Sequence, residues 1–417
     1  MTSAVEVVTI GDELLLGYTI DSNAAHLART LGESGIRVAR RATCGDDAGD
    51  IAAAVREALD RTGAVITTGG LGPTSDDKTK ESIATIFGRA MRLDDAVWER
   101  LQAMWKERGW PGEIPISNKQ QAMIPDGATI LTNRHGSAPG IWLEDDRGRW
   151  VAMLPGVPRE MRGMLADTLL PRLVARVNTA TVVRSRTLRT TGIGESALHD
   201  LFGDAARGVE GLPLAYLPGW EGTDLRLTVH GVPADEADRA LDAAAAVIRT
   251  LAGHYVYGEG TTDLADVVLA DLRTRQWTIA VAESCTGGML GMRLTAIPGS
   301  SDVVLGGVIA YDNRLKRELL GVNADDLAAH GAVSEPVVRA MAKGVRALTG
   351  ADVGIGITGI AGPGGATPDK PVGMVWLSVE TPLGAHAVTA RLVGDRGEIR
   401  QRAAQGALNL LRRQLSP

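Results

Sequence analysis

Apolar runs alternate with stretches of helical period over the first part of the chain. Three runs are predicted as strands, at residues 5–10, 36–42 and 64–68, and the first of them is predicted to be buried. Two amphipathic stretches between them are predicted as helices: residues 23–34 and 50–62. Strands that alternate with helices through short connections are typical of a parallel, doubly wound sheet. We therefore predict an α/β domain over residues 1–170, with ligands bound beyond the carboxyl ends of its strands.

The pattern changes between residues 176 and 256. Two segments alternate like half-exposed strands, at 181–190 and 224–230, and two others have a helical period, at 196–201 and 235–252. This pattern predicts a small α+β module. It carries no residues that suggest chemistry.

A third α/β domain is predicted over residues 258–417. A helical stretch at 262–275 leads into an apolar strand at 277–282. Further elements are predicted as two strands and a C-terminal helix: residues 353–357, 372–379 and 396–414.

Composition supports a soluble globular protein of more than one domain. The chain has 417 residues, of which 44% are hydrophobic and 23% charged. Its formal net charge is −6 and no block of Lys and Arg stands out. This argues against a nucleic-acid-binding protein that works by neutralising phosphates, although local loops can still bind small anions.

The cysteines and the N-terminus indicate a cytoplasmic protein. Cys44 and Cys285 are too far apart in sequence to suggest a metal-binding cysteine motif or a disulfide bond. The N-terminus lacks a basic region followed by a long apolar segment, and no window approaches 18 uncharged apolar residues. We expect neither secretion nor a membrane span.

A glycine-rich loop follows the strand at 64–68 and opens a helix. It contains Gly69, Gly70 and Gly72, whose backbone N–H groups can face a ligand closely. The loop is not a Walker A sequence, because no Gly-Lys-Ser/Thr follows at the required spacing. Together with the helix N-terminus it predicts a phosphate cradle.

Four carboxylates accompany this loop. Asp76 and Asp77 either cap the following helix or hold a divalent cation. Asp12 and Glu13, at the end of the first strand, supply two more oxygen ligands and favour the metal hypothesis.

The segment 277–316 carries the clearest chemistry. It brings a serine, a phenol and an amine, Ser301, Tyr311 and Lys316, into a short stretch with several glycines, and we expect them to share one pocket. A serine becomes nucleophilic when a neighbouring base takes its proton, and a lysine with a lowered pKa can be that base, directly or through Tyr311. Backbone N–H groups of a glycine-bearing turn can then stabilise the oxyanion of an attacked amide.

Two competing interpretations concern the same domain. Cys285 lies after a strand at a predicted helix start, so it is either a reactive thiol or a buried, inert one. The segment 354–359 fits the string GxGxxG but falls inside an apolar run, so a dinucleotide fingerprint is not expected.

Several separated motifs, taken in order, resemble the competence/damage-inducible CinA family. In the N-terminal part they are the segments 9–17, 21–24, 68–77, 118–122 and 154–158. The resemblance implies a fold similar to molybdopterin-binding domains and a metal-dependent ADP-ribose pyrophosphatase that yields AMP and ribose 5-phosphate. The implied metal is Mg²⁺, Mn²⁺ or Co²⁺, with K⁺ as a further candidate, held by Asp76, Asp77, Asp12 and Glu13. The implied substrate-binding residues are Gly11, Asn23, Gly69, Gly70, Gly72, Thr74, Asn118, Lys119 and Gly156.

In the C-terminal part the resemblance covers the segments 282–288, 298–301, 310–316, 331–335 and 358–363. They look like a nicotinamide mononucleotide deamidase domain that needs no cofactor. The resemblance implies that Ser301 is the nucleophile, that Tyr311 and Lys316 assist it, and that substrate is bound by Ser284, Thr358, Arg396, Gly299 and Ser300. From sequence alone, Arg396 is equally consistent with a solvated arginine at a helix end.

The family also implies a KH-like middle module and a homodimer. The module has no Gly-x-x-Gly loop with basic flanks, so a spacer or dimerisation role is preferred to nucleic-acid binding. The hypothesis is a bifunctional pyridine-nucleotide salvage hydrolase acting on nicotinamide mononucleotide and ADP-ribose. Two alternatives stay open: a competence or recombination accessory, and a pterin-nucleotide binding protein, with one or both sites inactive.

Overall fold

The computed structural model describes residues 4–176 and 181–415. Residues 1–3 lie outside that range. They belong to the N-terminal segment in which no secretion signal is expected. The chain divides into two compact units, one formed by Met1–Arg184 with Val229–Arg239 and the other by Ser185–Thr228 with Ala240–Pro417. Among the described residues, no helix combines the length and apolar character needed to cross a membrane.

The N-terminal domain contains eight strands and seven α-helices. The strands are β1 (Ala4–Ile10), β2 (Arg37–Cys44), β3 (Ala64–Thr68), β4 (Met91–Leu93), β5 (Met123–Pro125), β6 (Thr129–Leu131), β7 (Gly140–Glu144) and β8 (Trp150–Leu154). The helices are α1 (Asp12–Leu15), α2 (Ser22–Glu33), α3 (Ala48–Thr62), α4 (Thr79–Ile86), α5 (Asp95–Glu107), α6 (Pro158–Met164) and α7 (Leu170–Arg176).

Six of these strands form one sheet in the order β2-β1-β3-β8-β7-β6. The first four are parallel, and β7 and β6 continue the sheet antiparallel. Separate apolar clusters cover its two faces, one with Leu27 and Leu31 of α2 and the other with Ile51 and Val55 of α3. Helices on both faces confirm the predicted doubly wound fold.

The middle module has five strands and two helices. They are β9 (Val182–Thr190), β10 (Gly208–Val209), β11 (Leu212–Pro218), β12 (Thr223–Val232), β13 (Val256–Glu259), α8 (Glu195–Phe202) and α9 (Ala234–Ala252). The sheet order is β10-β11-β12-β9-β13. Along β12, buried and partly exposed residues alternate, as the sequence period predicts for a sheet with one covered face.

The C-terminal domain has five strands and six helices. They are α10 (Leu264–Arg275), β14 (Ile279–Glu283), α11 (Met289–Thr295), β15 (Val304–Ile309), α12 (Asn313–Glu318), α13 (Ala324–His330), α14 (Glu335–Thr349), β16 (Val353–Gly359), β17 (Met374–Thr381), β18 (Gly384–Arg391) and α15 (Arg396–Leu415).

The C-terminal sheet has the order β15-β14-β16-β17-β18. Strands β15, β14 and β16 are parallel, whereas β17 and β18 are antiparallel, and β15 forms one edge. An apolar cluster with residues of α10, α11 and α15 covers one face, and a second cluster with residues of α14 covers the other. The domain is α/β, as predicted.

Glycines inside β16 let α14 approach the sheet closely. A Cβ on Gly354 would lie 2.2 Å from the carbonyl oxygen of Ala342, and a Cβ on Gly356 would lie 2.6 Å from that of Val338. The string GxGxxG in this segment therefore serves helix–sheet packing, which agrees with the expectation that it is no dinucleotide fingerprint.

Candidate functional site

A cavity of about 490 Å³ opens at the carboxyl ends of β1, β3 and β8. Its lining includes most of the glycines that the sequence selected, together with Asn23: Gly11, Gly69, Gly70, Gly72 and Gly156. The position agrees with the rule that open α/β sheets bind ligands at this edge.

Two of these glycines are required by close contacts. Gly69 has φ +113°, and a Cβ there would lie 2.1 Å from the carbonyl oxygen of Ile10. Gly70 has φ +64°, and its Cβ would lie 2.1 Å from Oγ1 of Thr79. The Thr79 hydroxyl donates to the Gly69 carbonyl at 3.0 Å and joins the loop to the start of α4.

Asn23 connects α2 to two loops of the cavity. Its Nδ2 donates to the carbonyl oxygen of Gly156 at 2.7 Å and to Oγ1 of Thr68 at 3.1 Å. Thr68 in turn donates to the carbonyl oxygen of Pro155 at 2.8 Å. The Oδ1 atom of Asn23 is buried and has no partner among the described residues, so a hydrogen-bond acceptor is available in the cavity wall.

Acidic side chains gather at the same edge. Glu13, Asp76 and Asp77 line the cavity as predicted, and so does Asp46, which the sequence analysis did not select. Asp46 and Asp12 exchange hydrogen bonds, each accepting the other's backbone N–H, at 3.0 and 3.2 Å. Burial raises the pKa of Asp46, and the neighbouring carboxylates of Asp12, Glu13 and Asp76 raise it further.

Asp77 makes hydrogen bonds that the sequence analysis did not expect. Its carboxylate accepts the N–H groups of Gly72 at 2.7 Å and Thr74 at 2.9 Å, and the Thr74 hydroxyl as well. Helix α4 is preceded by Lys78, which makes no side-chain cap. The helix-cap interpretation is therefore wrong for this residue, which instead holds the glycine-rich loop in shape.

No group of three or more His, Cys, Asp or Glu side chains within residues 4–176 and 181–415 is arranged to hold a metal ion. Three of the four predicted ligands, Asp12, Glu13 and Asp76, nevertheless lie close enough for their charges to raise the pKa of Asp46. Mg²⁺ keeps several waters and needs only one or two protein carboxylates besides substrate phosphates. The residues present fit a cation bound together with a phosphorylated substrate, not a protein-only metal cage.

Four predicted residues are absent from the cavity lining: Asp12, Thr74, Asn118 and Lys119. Asn118 donates to the carbonyl oxygen of Pro115, and the Lys119 ammonium lies 5.7 Å from the ring centre of Trp98. The neighbouring Gln121 does line the cavity.

Lys80 was also missed by the sequence analysis. Its side chain is 2% exposed, and its amine donates to the carbonyl oxygen of Gln120. Burial lowers the pKa of Lys80 to about 8, against the opposing effects of Asp77 and Glu81.

The second site lies where β14, β15 and β16 end. Ser284 follows β14 and donates its backbone N–H to the carbonyl oxygen of Ile357 at 2.9 Å. Tyr311 follows β15, and Thr358, near the end of β16, is buried and donates to the carbonyl oxygen of Ala332 at 2.9 Å. Three parallel strands thus place three predicted residues at one edge.

Lys316 is buried beneath this edge, with 1% of its surface exposed. Its Nζ donates to the carbonyl oxygen of Ala310 at 2.8 Å and to that of Tyr311 at 3.2 Å. Burial lowers the pKa of Lys316, while Asp312 and Cys285 oppose that shift. Because a neutral amine has two N–H bonds, the two carbonyls can accept both and leave the lone pair free to take a proton.

Arg396 begins α15 and is held in place. One guanidinium nitrogen donates to the carbonyl oxygen of Gly362 at 2.6 Å, and another donates to the Tyr311 hydroxyl at 3.0 Å. Arg396 is exposed at the start of α15, as the solvated alternative expects, and these two hydrogen bonds hold its guanidinium beside Tyr311. Its position beside Tyr311 suits an anionic group of a ligand.

Ser301 lies at the opposite end of β15 from Tyr311 and Lys316, contrary to the expectation that the three residues share one pocket. It belongs to a short 3-10 turn, Ser300–Asp302, which precedes β15, whereas Tyr311 follows that strand. The turn adjoins the start of β14, since Ile279 donates its N–H to the carbonyl oxygen of Val303. Six strand residues separate the two ends, about 20 Å at the usual rise. Gly299 and Ser300 are at the far end with Ser301.

Arg273 fixes this turn. It pairs with the carboxylate of Asp302 at 2.8 Å and donates to the carbonyl oxygen of Gly299 at 3.1 Å. Ser301 itself is exposed.

Two neighbours of Ser284 are structural. Burial raises the pKa of the Cys285 thiol to about 12, so the interpretation as a reactive thiolate is not supported. Glu283 is 1% exposed, and its carboxylate accepts the backbone N–H groups of Gly288, Leu290 and Gly291 at 3.0, 3.1 and 2.7 Å. It satisfies the free N–H groups at the start of α11.

The fold and these sites define a three-domain α/β protein with one site on each of two parallel-strand edges. Family models match the whole arrangement: the "Probable molybdopterin binding domain" over residues 6–175, the "Damage-inducible protein CinA KH domain" over 185–258 and the "CinA C-terminal domain" over 261–415.

Relatives extend over nearly the full length. A CinA-like protein of Gemmatimonas aurantiaca is 64% identical over 98% of this chain and 96% of the relative. A CinA-like protein of Parasynechococcus marenigrum is 44% identical over 99% of this chain and 98% of the relative. The chain belongs to the CinA-like protein family.

Solved structures similar to parts of the chain carry the same family name. The competence/damage inducible protein of Agrobacterium tumefaciens is 38% identical, with a TM-score of 0.36 over 36% of this chain and 93% of that one. The protein CinA of Thermoplasma acidophilum is 34% identical, with a TM-score of 0.37 over 42% of this chain and 98% of that one.

Proposed function

We propose that the C-terminal domain deamidates nicotinamide mononucleotide to nicotinate mononucleotide and ammonia. The observation that carries this proposal is the buried Lys316 amine, whose pKa is lowered by burial and whose two carbonyl partners leave a lone pair free. A buried amine with a lowered pKa is better suited to act as a general base than a solvated lysine. Arg396, Ser284 and Thr358 lie at the same edge, where a phosphorylated riboside can be bound.

The reaction consumes one water and releases one ammonia. The nucleophile that this geometry favours is Ser284, which adds to the amide carbon while Lys316 takes its proton directly or through Tyr311. Ser301, which the family resemblance implied, lies about 20 Å from that base at the usual strand rise. The proton then goes to the departing ammonia, and water hydrolyses the acyl-enzyme. No metal is needed for these steps, because Lys316 supplies the base.

The experiment is ammonia release from nicotinamide mononucleotide, with and without a chelator. The unaltered protein is compared with Ser284→Ala and Lys316→Met at the site, with Ser301→Ala before β15, and with Lys343→Met as a control in α14. We expect chelator-insensitive release that falls at least 100-fold in both site variants and is unchanged in the control. Absence of release from the unaltered protein would favour the accessory hypothesis, and full activity of Ser284→Ala together with loss of activity in Ser301→Ala would return the nucleophile to Ser301.

We further propose that the N-terminal domain hydrolyses ADP-ribose to AMP and ribose 5-phosphate with a divalent metal. The glycine-rich loop can approach a pyrophosphate closely, and the carboxylates of Asp46, Asp76 and Glu13 face the same cavity. A bound cation would neutralise phosphate charge and activate water there. Asn23 offers its free Oδ1 to a hydroxyl or amino group of the ligand.

AMP release from ADP-ribose tests this second activity. Magnesium, manganese and cobalt are added separately to metal-free protein, and Asp46→Asn is compared with Asp146→Asn, an exposed turn residue. We expect metal-dependent release that only Asp46→Asn reduces, by at least tenfold. A protein that binds ADP-ribose without releasing AMP under any of the three metals would contradict the hydrolase.

A pterin-nucleotide binding protein is the second candidate for the N-terminal domain. It is favoured by one observation, namely the match of residues 6–175 to the "Probable molybdopterin binding domain". Calorimetry with a pterin and with ADP-ribose, both without metal, separates the two candidates, since only the binder should prefer the pterin.

A further inference from the structure

A network of charged side chains joins the middle module to the C-terminal domain. Arg293 of α11 is 7% exposed. Its Nε donates to both carboxylate oxygens of Asp263 at 2.9 and 3.1 Å, and its Nη2 donates to Glu221 at 3.2 Å. Glu221 lies in the turn between β11 and β12 and also accepts from Arg189 of β9. This carboxylate of the middle module therefore pairs with one arginine of each domain.

The neighbouring Trp220 adds to the contact. The guanidinium carbon of Arg293 lies 5.2 Å from the centre of the Trp220 ring, so the same turn supplies a carboxylate and an aromatic face. Because Arg293 is buried, loss of a carboxylate partner would leave its charge poorly compensated. All these residues belong to one compact unit, formed by Ser185–Thr228 with Ala240–Pro417.

Helix α11 also holds the turn that carries Ser284. Three backbone N–H groups at the start of the helix donate to the carboxylate of Glu283, the residue before Ser284. Arg293 belongs to the same helix, which has only seven residues. A displacement of Arg293 would therefore be transmitted through one short helix to the residue next to the proposed nucleophile.

Helix α15 supports the turn from a second direction and contacts the module as well. Arg400 donates to the carbonyl oxygen of Thr286, two residues after Ser284, at 2.7 and 3.2 Å. Farther along the helix, Gln405 donates to the hydroxyl of Thr191, which follows β9, at 3.0 Å. The module thus contacts both helices that hold the turn.

We propose that the middle module positions the nucleophile of the deamidase and that Glu221 and Arg293 are positioning residues acting through α11. This inference rests on the proposed deamidation. Arg293 belongs to the last turn of α11, on the return of the chain toward β15, so it acts on Ser284 through the helix and not by contact with the substrate. The module is then a part of the deamidase scaffold instead of a spacer between two enzymes.

The first experiment compares ammonia release by the unaltered full-length chain and by Glu221→Gln. The amide keeps the size of the side chain and removes its charge from between two arginines. We expect kcat to fall by about tenfold or more and KM for nicotinamide mononucleotide to change less than about twofold, because a small misplacement of a reacting group costs rate more than binding. The control is Asp235→Asn, which removes an exposed ion pair with Arg239 in the same module and should leave kcat unchanged.

Arg293→Met removes the charge on the other side of the contact. It should lower kcat in the same way as Glu221→Gln. Because both substitutions break one contact, the double variant should be no slower than the more severe single variant. Multiplicative losses in the double variant would show that the two residues do not act through their pairing.

Calorimetry with the product, nicotinate mononucleotide, separates positioning from loss of folded protein. Positioning leaves the number of binding sites per chain unchanged and lowers kcat per site. Partial unfolding lowers the number of sites and leaves kcat per site unchanged, which would overturn the inference. A kcat of Glu221→Gln within about twofold of the unaltered value would overturn it as well.

Hydrogen exchange supplies a measurement that does not depend on activity. In Glu221→Gln, the backbone amides of residues 284–291 should exchange about tenfold or more faster, whereas those of β16 should not change. Unchanged exchange at residues 284–291 would show that the module does not hold the turn. If the unaltered protein releases no ammonia, the proposed function fails, and exchange alone decides whether the module fixes this segment.

Discussion

Glu283 should control the local stability of the turn that carries Ser284. Its buried carboxylate accepts three backbone N–H groups, from Gly288, Leu290 and Gly291, at 3.0, 3.1 and 2.7 Å. Hydrogen bonds to charged acceptors contribute about 1.5–3 kcal/mol each. In Glu283→Gln, the amide oxygen can still accept the N–H groups of Gly288 and Leu290, which share one carboxylate oxygen in the unaltered protein. The new NH₂ group then faces the N–H group of Gly291, which loses its acceptor.

We therefore expect Glu283→Gln to reduce the opening free energy of this segment by about 2–3 kcal/mol. Amide hydrogen exchange at Gly288, Leu290 and Gly291, followed by mass spectrometry, should accelerate about 30- to 150-fold. Exchange is preferred to a global unfolding curve, because a multi-domain chain need not unfold in two states.

The matched control is Glu335→Gln at the start of α14. Its carboxylate makes a half-exposed i,i+4 ion pair with Arg339 at 2.8 Å, which contributes less than about 0.5 kcal/mol. Exchange around residue 335 should change less than threefold. An equally small change at residues 288–291 in Glu283→Gln would show that the carboxylate does not hold the turn.

Further predictions concern the two sites. Since burial lowers the pKa of Lys316, kcat/KM for deamidation should rise with pH, with an apparent pKa below the usual lysine value of about 10.4. An unchanged apparent pKa in Lys316→Arg would contradict the role of Lys316 as base. Gly70→Ala should abolish ADP-ribose binding in calorimetry, because its Cβ would lie 2.1 Å from Oγ1 of Thr79, whereas Gly88→Ala, with φ +63° and open space, should lose only about 1–2 kcal/mol of stability. The pKa of Lys80 is about 8 when folded, so the unfolding free energy should rise between pH 8 and about 10.4, by at most about 1.4 kcal/mol per pH unit. Chemical denaturation across this range should show that rise in the unaltered protein and not in Lys80→Met.

Hydrophobic periodicity predicted the long elements well. The strand predicted at 64–68 is β3 (Ala64–Thr68), and the helix predicted at 396–414 is α15 (Arg396–Leu415). The strand is bounded by Gly63 and Gly69, and the helix follows Gly394, so turn-forming residues mark where these elements begin or end. The order of strands in the sheets did not follow from periodicity, because it depends on contacts between distant segments.

The separation of Ser301 from Lys316 could have been predicted. Ser301 precedes a strand that runs parallel to β14, whereas Ser284 follows β14, so the two serines must lie at opposite edges. Closeness in sequence was taken for closeness in space. Asp46 also had a signal, since it directly follows Gly45 at the carboxyl end of β2.

The burial of Lys80 had no comparable signal. A lysine in the first turn of a helix is usually solvated, and the structure buries this one because the segment around Gln120 covers it. Such long-range covering depends on tertiary packing, which a local pattern does not contain.

The two glycines of β16 also restrict how the C-terminal site can be redesigned. Any side chain at Gly354 or Gly356 would collide with the backbone of α14, so the strand that carries Thr358 cannot move or gain volume without displacing that helix. Exposed loop residues from 363 to 369 face no such restriction. Libraries that aim to change the ligand preference of this site should therefore vary this loop and leave the strand unaltered.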